Sequence, residues 1–155
     1  MSLEEELKTE HVSHLNLSGI CQAESGEPVR QVLARMRQEG HNVCLIMTGD
    51  QLQGIFTDRD VLTKVVAQPE TLDGPIDAVM TPNPYSVSPD QSAAAALTLM
   101  DQHHFRNLPV IGKDGRILGG MTHKAIVDYL ASRYPIDILN RPPRPEQFPR
   151  KPEGG

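Results

Sequence analysis

The stretches QGIFTDRDVL, residues 53–62, and LGGMTHKAIV, residues 118–127, decide the fold of this chain. Each is typical of a short apolar strand that ends at a threonine, Thr57 or Thr122, from which a helix begins. Because the two stretches share one pattern and lie 65 residues apart, we predict that the chain is a duplication of one small unit.

More of the unit is repeated upstream of these stretches. Apolar side chains at helical spacing run through residues 29–36 and recur 64 residues later, through residues 93–100. An apolar strand follows each helix, VCLIM at 43–47 and LPVI at 108–111. Each half is therefore predicted to have the order β-α-β-β-α, which makes an α+β fold. Helices would cover one face of each sheet, so the two halves gain by burying their bare faces against each other.

Local signals predict where some helices begin and end. SPDQ, residues 88–91, combines an N-cap serine, a proline at the first helical position and a glutamine two positions later. We expect a helix to start at Ser88 and to continue to about His103. IDAVM, residues 76–80, is expected to form a short helical turn.

The domain boundaries follow from the repeat and from the composition of the ends. The last residues, RPPRPEQFPRKPEGG, contain prolines that exclude a continuous helix or a central strand. We expect a polar N-terminal tail at 1–11, a first repeat at 12–70, a linker with a short helix at 71–80, a second repeat at 81–134 and a Pro-rich tail at 135–155.

Composition excludes several classes of function. The 15 basic and 20 acidic residues give a net charge of -5, and the basic residues form no run that could follow a phosphodiester backbone, so no nucleic acid is expected. No apolar run approaches the roughly 20 residues needed to span a bilayer, and the acidic start is unlike a secretory signal. We expect a cytoplasmic protein, with Cys21 and Cys44 as buried, reduced thiols.

Three motifs together resemble a known family. VMTPNPYSVSPDQS at 79–92, FRNLPV at 105–110 and GIFTDRD at 54–60 are similar, in order and distance, to the motifs of the tandem CBS (cystathionine β-synthase) domain pair, also called a Bateman-type module. The resemblance covers about residues 12–132. It implies two repeats related by a pseudo-two-fold axis, two clefts between them, and an adenosyl ligand (AMP, ATP, ADP or S-adenosylmethionine) with no required cofactor.

The same resemblance implies a regulatory role. It implies that the module regulates an attached or separate enzyme or transporter, which this sequence does not identify, and we expect that the chain itself catalyses nothing. Apolar positions on the predicted helices 58–67 and 123–132 favour a homodimer, since one module leaves them uncovered. The sequence leaves head-to-head and head-to-tail pairing open.

Thr57 and Asp60 are the central candidates for ligand binding, and two interpretations of them stay open. Thr-x-x-Asp at a helix start is typical of a capping box, in which the two side chains satisfy backbone N–H groups. The free N–H groups of a helix start also favour phosphate. The resemblance assigns the phosphate to Thr57 and the ribose hydroxyls to Asp60.

The second copy departs from this motif. Thr122 is kept, but Ala125 stands where the ribose carboxylate is expected, so the second cleft is predicted to bind more weakly or not at all. His123 adjoins the second phosphate position, where it either contacts a ligand or is an ordinary surface histidine.

Other candidates come from the opposite walls of the clefts. The resemblance gives Arg106 to the phosphate, since a guanidinium suits phosphate through its paired donors, although an arginine that opens a strand is often only solvated. Val43 and Ile55 are expected either to pack against the adenine ring or to be plain core residues. Arg59 and Lys124 could reach the same charges, although exposed helix cations are usually just solvated.

Two further classes of site are weighed and set aside. His11 with His14, and His103 with His104, lack a cysteine or carboxylate at a recognised metal spacing. No nucleophile has a base near it in sequence, and no phosphate-binding glycine loop occurs. The competing hypothesis is a structural or protein-interaction module with no physiological ligand, in which Thr57 and Asp60 serve only as a cap.

Overall fold

The computed structural model describes residues 3–133. The predicted C-terminal tail at 135–155 lies outside the described residues. In chain order the elements are α1 (Leu3–Thr9), β1 (Cys21–Glu24), α2 (Val29–Glu39), β2 (Val43–Thr48), β3 (Gln51–Thr57), α3 (Asp58–Asp60, continued as a π-helix over Val61–Val65), β4 (Thr81–Pro82), α4 (Ala93–His103), β5 (Asn107–Ile111), β6 (Ile117–Thr122) and α5 (His123–Arg133).

Two sheets carry the duplicated unit. In the first sheet the strand order is β1-β2-β3-β4, with β1 parallel to β2 and the other neighbours antiparallel. In the second sheet β5 pairs antiparallel with β6, and Val87 forms a parallel bridge to Val110 where β1 stands in the first repeat. This confirms the predicted β-α-β-β-α repeats.

Each repeat lends a short segment to the sheet of the other. β4 follows the first repeat in sequence and pairs with β3, while the Gly120 N–H donates to the Leu17 carbonyl at 2.9 Å. Glycine is required where these segments cross. A Cβ at Gly54 would lie 2.8 Å from the Thr81 oxygen, and one at Gly119 would lie 2.3 Å from the Leu17 oxygen. This reciprocal exchange fixes the two repeats against each other.

Apolar side chains form one core within each repeat and a third between the sheets. The core of the first repeat includes Phe56 and Ile76, and that of the second includes Met100 and Met121. The third cluster consists of Ile20, Val43, Leu45, Met47 and Ile55. Ile117 of β6 packs against this cluster, so the two sheets meet across it, as the sequence predicted.

The start of α4 is a correction to the sequence prediction. Ser92 is the N-cap, with its Oγ accepting from the Ala95 N–H at 3.1 Å, and the prediction of a start at Ser88 was wrong. The tetrapeptide at 88–91 is instead a turn, because its Pro89 and Gln91 carbonyls accept from N–H groups of the N-terminal segment 12–13. A helix starting at Ser88 would withdraw those acceptors. The predicted end at His103 is confirmed.

The N-terminal segment is a second correction. The sequence predicts a polar tail at 1–11, but residues 3–9 form α1, which packs on α4 with Leu7 against the core of the second repeat. Its acidic first turn suits the positive end of the helix dipole. The helical turn expected at 76–80 is confirmed as a 3-10 turn over Ile76–Ala78.

Among the helices within residues 3–133, not one combines the length and the apolar character needed to cross a membrane.

Candidate ligand clefts

Two cavities lie where the repeats meet. The first cleft, of about 350 Å³, lies between the β3–α3 junction, the segment from Thr81 to Tyr85 and residues 104–109, which include the start of β5. The second cleft, of about 420 Å³, lies between the β6–α5 junction, residues 16–19 and the loop 40–43. The two linings are equivalent positions of the two repeats, because α2 and α4 start 64 residues apart and α3 and α5 start 65 residues apart.

Asp60 is the buried polar centre of the first cleft, with only 5% of its surface exposed. Its Oδ2 accepts from the Thr57 N–H at 3.0 Å and from the Thr57 hydroxyl at 3.3 Å, and its own N–H donates to the Thr57 Oγ1 at 3.4 Å. The capping box is thereby confirmed. Both Thr57 and Asp60 also line the cavity, so the two side chains of the capping box face the first cleft.

Two further residues, which sequence reasoning missed, complete the surroundings of Asp60. The Thr81 hydroxyl donates to the Asp60 Oδ1 at 3.0 Å, and the Lys64 Nζ lies 3.1 Å from the same oxygen. Lys64 also donates to the Val79 and Met80 carbonyls at 3.1 and 3.3 Å. The spacing of Lys64 one turn after Asp60 could have predicted its pairing. Thr81 could not have been found, because only the strand exchange brings it there.

Aromatic rings form one side of the first cleft. Tyr85 and Phe105 both line the cavity, and His103 stacks against them, with ring centroids 4.4 Å from Tyr85 and 5.2 Å from Phe105. Half of Tyr85 is exposed to solvent. The cleft therefore offers a flat apolar surface beside its polar end.

Arg106 stands between the two clefts and lines both of them. Its guanidinium lies 3.5 Å from the Asp58 carboxylate, which also lines both cavities. Arg59 lines the first cleft and Lys124 the second, where Lys124 is held by Asp128 at 2.7 Å. The predicted basic residues are thus brought to the clefts, with Arg106 placed to serve either one.

The second cleft contains the remaining predicted polar residues. Thr122 and His123 line it together with Ala125, and the Thr122 Oγ1 accepts from the Ala125 N–H at 3.0 Å. Ala125 is buried and belongs to the apolar core of the second repeat. Half of the capping box is present here, and the carboxylate is replaced by core packing.

The substitution at Ala125 is one of three at equivalent positions. Where the first repeat has Lys64, the second has Tyr129, and where Thr81 donates in the first cleft, Leu17 takes its place. The Tyr129 hydroxyl turns away to donate to the Glu10 carboxylate at 2.8 Å. The second cleft therefore lacks the carboxylate and both of its partners.

Val43 and Ile55 are not brought to one cleft. Ile55 lines the first cleft and Val43 the second, and both belong to the apolar cluster between the sheets. The position equivalent to Ile55 is Gly120, and the space of its missing side chain is taken by Ile20, whose Cδ1 would lie 1.6 Å from a Cβ there. The apolar wall of the first cleft therefore has no counterpart in the second.

The contacts of His14, Cys21 and Cys44 bear on the metal and thiol interpretations of the sequence. His14 contacts the Glu10 carboxylate, and within residues 3–133 no three potential metal-ligating side chains are grouped closely enough to hold an ion. Cys21 and Cys44 are buried free thiols, and they occupy opposite register positions on the neighbouring strands β1 and β2. A side-chain hydrogen bond to Cys21, together with burial, raises the pKa of the Cys44 thiol, which stays protonated. The prediction of free, buried thiols is confirmed.

A family model described as the CBS domain matches residues 22–67 and 76–132. The chain belongs to the CBS domain family. The two matches make it a tandem CBS pair, and the resemblance noted in the sequence is confirmed. A sequence relative, the CBS domain-containing protein CBSCBSPB3 of Arabidopsis thaliana, is 42% identical over 93 residues, which is 57% of this chain and 16% of that protein. The chain thus spans only a small part of the length of that relative.

Solved structures share the fold. The CBS domain pair of protein MJ0100, in complex with 5-methylthioadenosine and S-adenosyl-L-methionine, superposes with a TM-score of 0.71 at 20% identity, covering 81% of this chain and 98% of that one. The cytosolic domain of the Mg²⁺ channel MgtE in complex with ATP superposes with a TM-score of 0.66 at 20% identity, covering 81% and 51%. At these identities the likeness shows the fold alone.

Proposed function

We propose that this CBS pair binds an adenosyl ligand, AMP, ADP, ATP or S-adenosylmethionine, in the first cleft, and that binding regulates a partner protein. The observation that carries the proposal is the composition of that cleft. A hydroxyl from Thr57, a buried carboxylate from Asp60 and a guanidinium from Arg106 lie within one cavity beside aromatic rings. Thr57 and Arg106 suit a phosphate, Asp60 suits a ribose diol, and the aromatic rings suit a purine.

The hydrogen bonds within the first cleft are compatible with a bound ribose. Asp60 accepts from the Thr57 hydroxyl at 3.3 Å, near the long limit for such a bond. A hydroxyl carries one proton, so Thr57 donates either to Asp60 or to a phosphate. Once it donates to the phosphate, a lone pair on the Asp60 Oδ2 becomes free for a ribose hydroxyl. Phosphate and ribose would thus favour each other's binding.

The base would lie against the apolar side of the cleft. Tyr85 and Phe105 supply ring faces, and Ile55 supplies the aliphatic wall. Stacking of a base on an aromatic side chain stabilises binding by about 1–3 kcal/mol in proteins that bind single-stranded nucleic acids. Arg106 and Arg59 remain for the phosphate.

Structural relatives support the ligand class. The MJ0100 pair and the MgtE cytosolic domain bind adenosyl compounds of different charge, and both share the fold of this chain. We propose the same class here, with the second cleft weaker. Loss of a carboxylate from a sugar diol costs about 1.5–3 kcal/mol, or one to two decades in affinity.

The proposed regulation follows from the position of the first cleft between the repeats. A ligand held by Asp60 of one repeat and Arg106 of the other favours the packing in which both reach it, and it can shift the protein only through that preference. We propose that this protein is not an enzyme, that it acts in the cytoplasm, and that an enzyme or transporter reads the change. The sequence and the clefts leave the partner open.

We also propose that the module forms a homodimer. Leu62 in the π-helical continuation of α3, Val66 directly after it and Val127 on α5 are 69%, 62% and 62% exposed, and we propose that a second copy of the module packs on them. Light scattering should give a mass of two chains, and Leu62→Lys should reduce it to one. A wild-type mass of one chain removes the proposal of a dimer.

A second function is favoured by one observation. Four donors, the Thr57 N–H, the Thr57 hydroxyl, the Thr81 hydroxyl and Lys64, already satisfy the Asp60 carboxylate. Asp60 with these four donors could serve only to hold the repeats together, in a structural or protein-interaction module that has no ligand. Thermal stability with AMP, ATP and S-adenosylmethionine distinguishes the two, since a ligand at 100 times its Kd adds about 2.7 kcal/mol. A shift for none of them selects the structural module.

Titration calorimetry tests the site itself. AMP, ADP, ATP and S-adenosylmethionine are titrated into the wild type, Asp60→Ala and, as a matched control in the second cleft, Asp128→Ala. We expect binding to weaken by one to two decades in Asp60→Ala and to be kept in Asp128→Ala. Unchanged binding in Asp60→Ala would move the site away from the first cleft.

A further inference from the structure

The ion pair between Asp58 and Arg106 joins the two repeats at the point where the two clefts meet. Asp58 is the first residue of α3, and Arg106 precedes β5 in the other repeat. Their charged groups are 3.5 Å apart, and both side chains line both cavities. The guanidinium that faces the polar end of the first cleft is therefore occupied by a carboxylate of the protein itself.

A phosphate must compete with that carboxylate. The Asp58 side chain is 45% exposed and that of Arg106 is 63% exposed, so the pair is held weakly and can open. When a phosphate takes the guanidinium, Asp58 loses its partner but cannot move far. Its N–H is held by the Asn42 carbonyl at 3.2 Å, and its Oδ1 accepts from the Arg59 N–H at 2.9 Å. Asp58 then remains as an unpaired negative charge beside the bound phosphate.

The charges of the first cleft limit how many phosphates it can neutralise. Lys64 is engaged by Asp60, which leaves Arg59 and Arg106 as the cations facing the polar end, opposed by Asp58. One phosphate monoester, with a charge of about −1.5 to −2, is matched by the two guanidinium groups. Each additional phosphate would extend towards the junction of the clefts, where Asp58 repels it.

Resting on the function proposed above, we infer that Asp58 is a specificity-determining residue that makes the first cleft prefer an adenosine carrying a single phosphate over one carrying a polyphosphate chain. The Asp58 carboxylate pairs with Arg106 where a phosphate would bind, and it opposes any phosphate beyond the first. Recognition of the base and ribose is independent of it, because those groups lie against Tyr85 and Asp60.

Titration calorimetry of adenosine, AMP and ATP at one low ionic strength tests this inference. Asp58→Asn removes the charge and keeps an amide oxygen that accepts from the Arg59 N–H. At the partly exposed distances involved, one charge changes affinity by about threefold for AMP and about tenfold for ATP. We expect Asp58→Asn to tighten ATP about tenfold, AMP about threefold and adenosine not at all, so that the preference for AMP shrinks.

A matched control is available in another exposed ion pair between the repeats. Arg116 lies 3.8 Å from Asp50, which lines neither cleft, and Asp50→Asn changes the net charge by the same amount. It should leave all three affinities unchanged. Higher ionic strength should reduce the effect of Asp58→Asn, because salt screens exposed charges.

The outcomes separate this inference from the proposed function. If adenosine and AMP bind the wild type and Asp58→Asn leaves the ratio of AMP to ATP affinity unchanged, the inference is overturned and the proposed function stands. The inference is also overturned if Asp50→Asn reproduces the gain. If none of the three compounds binds the wild type or either variant, the inference is overturned, and the proposed function fails with it when ADP and S-adenosylmethionine do not bind either.

Discussion

The first and second clefts of this CBS pair occupy equivalent positions, yet they differ in what surrounds the helix start. In the first cleft, Asp60 is buried and bonded to Thr57, Lys64 and Thr81. In the second, the positions of the carboxylate and of its two outer partners are Ala125, Tyr129 and Leu17. These three differences are linked, because a buried carboxylate that lacks its hydrogen-bond donors destabilises the fold, and buried donors that lack the carboxylate do so as well.

The contacts that hold the repeats together have not diverged in this way. Gly54 and Gly119 both allow a segment of the other repeat to cross. A backbone hydrogen bond within each repeat is also kept, since the Asp58 N–H donates to the Asn42 carbonyl and the His123 N–H donates to the Arg106 carbonyl. The comparison shows that the duplicated frame is retained in both repeats while the side chains facing each cleft differ. Each prediction below changes one side of this comparison.

The largest effect is expected at the crossing glycines. Gly119→Ala should lower the free energy of unfolding by about 3–4 kcal/mol, since its Cβ would lie 2.3 Å from the Leu17 oxygen and its φ is +139°. Gly54→Ala should cost less, about 2 kcal/mol, because part of its clash is with the flexible Met80 side chain. Urea unfolding measures both. Equal small losses, below about 1 kcal/mol, would mean that the crossing is not tight.

Asp60→Asn should affect both stability and binding. It weakens the capping box and leaves Lys64 without its carboxylate, which should lower the free energy of unfolding by about 2 kcal/mol. Asp128→Asn, which removes an exposed carboxylate of the second cleft paired with Lys124, should cost less than about 0.5 kcal/mol. Chemical denaturation of the two variants compares the clefts directly. Similar losses would contradict the difference in their surroundings.

Rebuilding the carboxylate in the second cleft should fail on its own. Ala125→Asp buries a charge with Thr122 as its local partner, and we expect it to lower the free energy of unfolding by about 2 kcal/mol. Adding Leu17→Thr supplies the equivalent of the Thr81 hydroxyl. A double-mutant cycle should then give a favourable coupling of about 1 kcal/mol. Additive losses would show that Leu17 is not equivalent to Thr81.

The smallest effect is expected at Tyr129, which stands where the first repeat has Lys64 and bonds to Glu10 instead of to a cleft carboxylate. Tyr129→Phe removes the hydrogen bond to Glu10 and should cost about 1 kcal/mol at pH 7 in urea unfolding. Tyr85→Phe, which removes a half-exposed hydroxyl of the first cleft, is the control and should cost less. An equal loss in both variants would remove the assigned role of the Glu10 contact.

The Glu10 contact also predicts a dependence on pH. Hydrogen bonds with His14, and then with Tyr129, hold the pKa of Glu10 below its ordinary value of 4.5. The folded pKa is therefore lower than the unfolded one, so the stabilisation is complete above pH 4.5 and is lost as the pH falls through the folded pKa. Glu10→Gln should make unfolding less sensitive to acid in this range. An unchanged slope of stability against pH would contradict this.

The amino-acid sequence by itself determined the duplication, the order of strands and helices within each repeat, and the capping box at Thr57. These features depend on neighbours in the chain, since the periodicity of a helix and the reach of a cap span only a few residues. Local rules failed at Ser88 and in residues 3–9, where distant segments decided the outcome. There the N-terminal segment takes the carbonyls of the SPDQ turn, and α1 packs on α4.

Only the tertiary structure decided which residues share a cleft. It separated Ile55 from Val43, brought Thr81 to Asp60, and set Arg106 of the second repeat beside Asp58 of the first. Each of these pairings joins residues far apart in the chain through the exchanged segments and the packed sheets. Their distances depend on how two folded units pack together, and no pattern within one repeat encodes that geometry.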